Sequence, residues 1–380
     1  MLTPQKIDSY TYNKVVELYN NLNIEICNDI IRRIQAMGDI SQATKDQIQI
    51  LVDLNAREIF DEVLIKTSAL DDKVKQELTK IYEEMTISDM KDYKYLYKYR
   101  GKEFKLSEYQ LNLLTKGIIN NNKEIRNLTK SIAFNSKNLF IESVDDAYLK
   151  VITGAFDYNR AIYQSYKQIA SSGLKMTDKA GRKVNIDVAV RRSILTGIQQ
   201  TANAINEQVG KILGCDGYEV TAHIGARPTH AIAQGKQYAE SKEDAKKYGV
   251  DWWYDKVEGT PVAELWEEPN CRHSVFPIIL GISKPVYSQD QLNAMNNAKV
   301  TYKGKQIPVY EAEKTMRYIE RNIREYKRQV DILEKGNIDC TEEKAILRKW
   351  QDRYTDISKE TGIAKDYSRT RIWKIANNNI

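Results

Sequence analysis

The sequence predicts an α+β fold that is predominantly α-helical, and three observations carry that expectation. Glycine (18) and proline (7) are sparse in 380 residues, as suits a chain of long helices, whose interiors tolerate neither well. Apolar residues recur at spacings of three and four over long stretches at both ends. Between about residues 174 and 285 the pattern changes to short alternating segments punctuated by turn residues. Three regions follow: a long helical N-terminal block, 1–173; a small central α+β domain, 174–285; and a C-terminal β-hairpin plus helical hairpin, 286–380.

The first expected helix runs from about Thr11 to Met37, with Val15, Tyr19, Leu22, Ile26 and Ile30 on one stripe and Gly38 as its stop. A second covers about Gln42 to Ile65 and a third about Asp71 to Met85, followed by a Lys- and Tyr-rich stretch from Asp89 to Phe104. Ser107 opens a helix toward Lys137, and another spans about Val144 to Ala170. In the central region, residues 174–186 read as a hairpin turning at Ala180-Gly181. Asp187 is expected to cap a helix through Leu213, with Val190, Ile194, Ile198, Ala202 and Ile205 inward. Tyr218 to His223 alternates like a strand, Thr229 is placed to cap a short helix from His230 to Tyr238, and Val275 to Leu280 reads as a buried strand. In the C-terminal region, Val300 to Val309 is a hairpin turning at Lys303-Gly304. Ala312, Met316, Ile319, Ile323, Tyr326, Val330 and Leu333 then step by four and three, a heptad seam flanked by the i,i+4 pairs Glu313/Arg317 and Glu320/Arg324. A second helix from Thr341 carries Ile346, Trp350, Tyr354 and Ile357, so the two form an antiparallel hairpin.

Composition narrows the function classes. Lys and Arg number 58 against 52 Asp and Glu, a net charge of +6, and the acidic residues are interleaved with the basic ones. Duplex binders concentrate basic charge on a face or tail, so nucleic acid is not indicated as the main partner. The four cysteines, Cys27, Cys215, Cys271 and Cys340, are far apart and form no CxxC pair, which argues against a disulfide framework and for a reducing compartment. The polar start of the chain lacks the apolar core of a signal peptide, and no stretch is apolar for the length of a bilayer span, so a soluble protein is expected. The 24 tyrosines are spread along the chain, which fits a compositional bias better than a clustered binding surface.

Chemistry is concentrated in one window. The three histidines of the chain, His223, His230 and His273, fall within 51 residues, and Cys271 lies two residues before His273. One reading is a zinc site built from His223, His230, Cys271 and His273, since imidazole and thiolate are its usual ligands; against it, no standard zinc spacing is present. A second reading is a buried polar cluster in which His, Arg and Asn side chains satisfy one another, with Arg227, Gln234, Asn270 and Arg272 as polar anchors. A third pairs Cys271 or Ser274 with a histidine and a carboxylate such as Glu264 or Glu268 for nucleophilic catalysis, but nothing in the spacing is diagnostic. The chain has no GxxxxGK[ST] or GxGxxG phosphate loop. The run Trp252-Trp253-Tyr254 reads as core or a domain-interface plug rather than a base-stacking platform.

The wording of this window resembles the minor capsid protein 2 family of tailed phages and prophages. The words that carry the resemblance are HIGARPTHAIAQGK from His223 to Lys236, PNCRH from Pro269 to His273 and FPIILG from Phe276 to Gly281. Tyr310 to Arg324 and Lys349 to Tyr354 are also similar, so the resemblance covers about Gly214 to Arg371. Two departures stand out: Ala233 occupies a position where the family commonly has an aromatic residue, and Trp266-Glu-Glu-Pro269 replaces a Gly- and Cys-bearing turn. The second weakens any metal reading that needs a further ligand there. The resemblance implies a virion structural protein rather than an enzyme: a minor head protein similar in role to Mu F-like head morphogenesis proteins, placed at the portal vertex inside the head and able to leave with the DNA. Its implied partners are the portal protein, the major capsid protein or scaffold, and packaged DNA. No membrane is implied while it is in the head, and assembly is implied in the host cytoplasm. No cofactor is implied, zinc being the one candidate from the residues. Two alternatives from other classes are a metal-dependent nuclease or hydrolase co-packaged with the genome and an internal DNA-binding head protein.

Overall fold

A computed structural model describes residues 4–10, 14–38, 43–103, 107–177 and 181–372. The helical block comprises α1 (Pro4–Ser9), α2 (Lys14–Ala36), α3 (Lys45–Tyr99), α4 (Glu108–Ile152) and α5 (Tyr158–Ser172). A small hairpin, β1 (Lys175–Thr177) with β2 (Lys183–Asn185), leads into α6 (Ile186–Leu213). The central sheet region then contains β3 (Gly217–Val220), α7 (Pro228–Ala231), β4 (Gln237–Ala239), α8 (Lys242–Tyr248), β5 (Asp251–Trp252), β6 (Lys256–Val257), β7 (Thr260–Pro261), α9 (Val262–Leu265) and β8 (Val275–Ile278). It is followed by α10 (Gln289–Asn296), the hairpin β9 (Lys299–Tyr302) and β10 (Lys305–Pro308), α11 (Val309–Lys335) and α12 (Thr341–Thr361). The architecture is predominantly α-helical α+β, as the sequence pattern predicts.

The large core is helical. Tyr19 and Ile30 of α2, Leu78 and Tyr82 of α3, Ile132 and Phe140 of α4, Ile169 of α5 and Ile194 and Ile198 of α6 are buried together, and Ile332 and Leu333 of α11 join them. Each such side chain contributes about 1.5–3 kcal/mol of apolar burial. Where α4 meets α6, glycines let the backbones approach: a Cβ on Gly117 would lie 2.3 Å from the Thr201 hydroxyl, and one on Gly197 would lie 2.4 Å from the Asn121 amide nitrogen.

The central sheet has the order β5-β4-β3-β8, with β3 antiparallel to both β4 and β8 and β5 parallel to β4. Tyr218 opposes Tyr238 on one side and Pro277 on the other. A second, aromatic core forms on it from Tyr218, Tyr238, Trp253, Val262 and Trp266. Trp253 is thus core, with its ring 4.9 Å from that of Tyr218, while Trp252 lies under the Lys242 ammonium and Tyr254 is exposed. The expected heptad seam closes the C-terminal hairpin: Met316, Ile319 and Ile323 of α11 pack on Tyr354 and Ile357 of α12. The β9–β10 turn has Lys303 and Gly304 at φ of 50° and 73°, the left-handed pair of a tight hairpin.

Several elements differ from the sequence expectation. The helices expected at Gln42–Ile65 and Asp71–Met85 and the Lys/Tyr stretch merge into one helix, α3; without Gly or Pro between residues 45 and 99, the polar runs do not break it. Gln42 and Phe104 lie outside the described residues. The helix that opens at Ser107 runs past Lys137 to Ile152, and the helix expected at Val144–Ala170 is broken at Gly154, in the left-handed region, with Asp157 capping α5 by accepting from the Arg160 amide. Of the expected Ala180-Gly181 turn, Ala180 lies outside the described residues. Asn185, not Asp187, stands at the cap of α6, because Asp187 is buried in an ion pair with Arg324. The short helix near His230 starts at Pro228, whose fixed φ suits a first helical position. It ends at Ala231, so that Gln237 and Tyr238 belong to β4.

Candidate functional site

The histidine window folds into one buried cluster. His230 projects from α7, whose N-terminal turn is set by Arg227-Pro228. Cys271 and His273 come from the extended segment entering β8, where alternate residues face the same side. Asn270, at φ 62°, turns the chain just before Cys271, in the left-handed region that asparagine tolerates. His230, Cys271 and His273 are 1%, 3% and 1% exposed.

Three donor atoms converge. Nδ1 of His230 and Nδ1 of His273 lie 3.4 Å apart. The Cys271 Sγ lies 3.6 Å from the first and 3.4 Å from the second. The other nitrogen of each ring faces an acceptor: His230 Nε2 lies 3.3 Å from the Glu268 carboxylate, and His273 Nε2 lies 2.8 Å from Gln234 Oε1. Those acceptors fix the tautomers, with the protons on Nε2 and the lone pairs on Nδ1. The Gln234 amide is itself oriented by the backbone, since its oxygen accepts from the His223 amide at 3.0 Å and its NH2 donates to the His223 carbonyl at 3.2 Å. That NH2 also donates to the side chain of Asn296, which in turn donates to the Ala231 carbonyl.

Arg227 and Glu268 form an ion pair at the edge of the cluster, and Arg227 also donates to the Pro269 carbonyl at 2.7 Å. Arg272 points toward the C-terminal helix, 3.9 Å from Glu313, which pairs with Arg317 at 2.7 Å. Asn270 is exposed, so its contribution is the turn itself. The His223 ring stacks on His273 at 4.6 Å, with its Nδ1 3.0 Å from the Ile224 carbonyl, so it walls the cluster rather than adding a fourth converging donor. Two further residues complete the site. Trp266 packs its ring 5.4 Å from His230 and 5.0 Å from His273. Gln199 of α6 donates to the carbonyls of Trp266 and His273 at 2.8 and 2.7 Å. Sequence patterning assigns neither residue to the cluster: Gln199 reaches it across 67 and 74 positions of chain, and the Trp266 ring lies 36 positions from His230.

Electrostatics follow from burial. Desolvation, reinforced by the neighbouring His223, His230, Arg227 and Arg272, holds His273 well below the usual histidine range. Desolvation and Arg227 also lower His230, although Glu268 opposes them. The Cys271 thiol is pushed up, again chiefly by burial. A nucleophilic cysteine needs the reverse, a lowered pKa in a partly exposed setting. Ser274 is buried with its amide donating to the Thr221 hydroxyl at 2.8 Å, and Glu264 is exposed on α9. The arrangement therefore suits holding loops together or ligating a cation better than nucleophilic attack.

No curated protein and no solved structure matches the chain. The family model for phage minor capsid protein 2 matches residues 2–357, nearly the whole chain, including the helical block, the His/Cys cluster and most of the helical hairpin. The chain belongs to the phage minor capsid protein 2 family.

Proposed function

We propose that the chain is a minor head protein that docks on the portal vertex inside the phage head through its long helices. Family membership supplies the coarser statement, a structural role in the virion among other head components. The observation that carries the finer one is a set of exposed apolar side chains on one side of α3. Ile50, Leu54 and Ile65 are 61%, 55% and 69% exposed, and at about 100° per residue they fall within an arc of about 60°, which the exposed Asp61 shares. α3 and α4, about 80 and 70 Å long at 1.5 Å per residue, present further exposed apolar side chains at Phe134 and Ile152. Patches of this kind on a folded protein mark contact surfaces. Family membership among head proteins assigns these side chains to contacts with protein.

A polymer-cleaving role draws no support from the cluster. A nuclease needs its attacking group open to a phosphodiester, whereas His230, Cys271 and His273 are enclosed. The test is a particle reconstruction paired with a triple variant, Ile50→Asp, Leu54→Asp and Ile65→Asp. The expected result is density at the portal vertex for the native chain, and loss of incorporation for a variant that keeps its native melting temperature. Density on the outer shell, or full incorporation of the folded variant, overturns the reading. Association with DNA that weakens steeply with salt in the absence of portal protein is the result that favours an internal DNA-binding role.

A further inference from the structure

We infer that His230, Cys271 and His273 form a zinc-binding site, with Glu268 and Gln234 orienting the two imidazoles. Zinc takes nitrogen at about 2.0–2.1 Å and sulfur at about 2.3 Å in tetrahedral geometry, which places neighbouring donors about 3.4 Å (N to N) and about 3.6 Å (N to S) apart. The observed separations are 3.4 Å between the Nδ1 atoms and 3.6 and 3.4 Å from Sγ to each. Three atoms on two segments, 43 positions apart in sequence between His230 and His273, thus sit at the corners a zinc ion requires.

The hydrogen-bond inventory points the same way. Glu268 and Gln234 Oε1 are acceptors, so each ring spends its N–H outward and turns a lone pair inward. Two inward lone pairs and one thiol leave a single S–H proton to share, and a buried acceptor left without a partner is costly. A cation satisfies both nitrogens and the sulfur at once. Carboxylate and amide partners on the far nitrogens are the outer shell that metal-binding histidines ordinarily carry. A thiolate with two imidazoles selects zinc over the hard cations calcium and magnesium. A water would take the fourth corner, since His, Cys, Asp and Glu among the described residues supply three converging donors here. The ion would clamp α7 to the segment entering β8, where sequence alone leaves two short loops.

The test uses the full chain purified without added chelator. Elemental analysis is expected to give about one zinc per chain, because a buried thiolate and two imidazoles already held at the required separations favour uptake at neutral pH. Replacement by Co(II) is expected to give the intense visible bands of a tetrahedral site and a thiolate charge-transfer band. Cys271→Ser should remove that band and weaken Zn(II) binding by about 100-fold or more, and Gln234→Ala by about 10–100-fold. Cys215→Ser should leave both unchanged. A native chain that carries no zinc and takes up neither Zn(II) nor Co(II) against a weak chelator overturns the proposal, as does a charge-transfer band that survives Cys271→Ser. Should the cluster variants fail to fold, the presence or absence of the thiolate band in the native chain decides the matter.

Discussion

Arg324 of α11 donates from Nε to the Asp187 carboxylate at 2.9 Å, and both side chains are buried. The pair ties the C-terminal hairpin to the first turn of α6 across 137 positions of sequence. Removing one partner strands the other in a dry environment. Arg324→Met and Asp187→Ala are each expected to cost about 3–5 kcal/mol, read as a fall in the urea midpoint. The double variant should cost less than the sum, because it leaves neither member of this pair without the other, although Arg191 and Arg328 still lose the carboxylate.

The same pair sets a pH dependence. Burial works to raise the Asp187 pKa, but the charges of Arg324, Arg191 and Arg328 prevail and hold it below the usual carboxylate range. A carboxyl whose folded pKa is depressed adds stability that is present above its unfolded value, about 3.9. That stability is lost as pH falls through the lowered folded value. The urea midpoint of the native chain should therefore drop from pH 5 toward pH 2, and that of Asp187→Asn should drop less over the same range. Equal slopes would remove Asp187 from the account.

The hairpin seam gives a separate test. Ile319 is fully buried against Tyr354 and Ile357. Ile319→Ala is expected to cost about 2–5 kcal/mol through lost burial and the cavity left behind. Exposed Tyr318→Ala, one residue away, should cost much less. Thermal melts of both variants make the comparison.

These elements differ in how readable they are from sequence. The seam and the β9–β10 hairpin announce themselves, because their contacts are local and leave a period or a turn pair in the sequence. The continuity of α3 does not: Asp71-Asp72-Lys73 and the Lys/Tyr run look like surface interruptions, and it is packing along α4 and, for Tyr93 and Tyr97, on Val209 and Leu213 of α6 that keeps them helical. In the cluster, residue type and clustering point to His230, Cys271 and His273. The division of labour among them is not legible, since His223 differs from the others only in where its ring lands. Gln199 and Trp266 are hard to assign for a related reason, as neither a hydrogen bond spanning 67 or more positions nor a ring contact imposes a spacing on the sequence. Asp187 looks like a helix cap until the guanidinium that claims it is placed beside it.

The cysteines give a chemical readout. Burial raises Cys27 to about 12 and Cys215 to about 11, and Cys215 is the less buried of the two. Because the thiolate is the reactive form, native protein at pH 8 should be alkylated slowly, Cys215 first and Cys27 only on unfolding. Mass mapping of the labelled peptides checks the order, and early labelling of Cys27 would contradict its place on the buried face of α2.

Gly235 joins the cluster to the sheet, and its substitution separates backbone demand from ligand chemistry. Its φ is 70°, a conformation that residues with a Cβ adopt at a cost. An added Cβ would also lie 2.2 Å from Leu292 Cδ2 and 3.1 Å from the Ala222 methyl. Leu292 is buried on α10, so relief requires its side chain or that helix to shift, and α10 carries the Asn296 that holds Gln234. Gly235→Ala is therefore expected to destabilise by about 2–4 kcal/mol, combining the backbone term with overpacking. Leu292→Ala removes the clashing methyl groups but not the strained φ. Adding it to Gly235→Ala should restore part of the loss of Gly235→Ala relative to the sum of the two single changes, which a double-mutant cycle in urea measures directly. Strict additivity would mean that the backbone conformation alone, and not the contact with Leu292, is what holds glycine at this position.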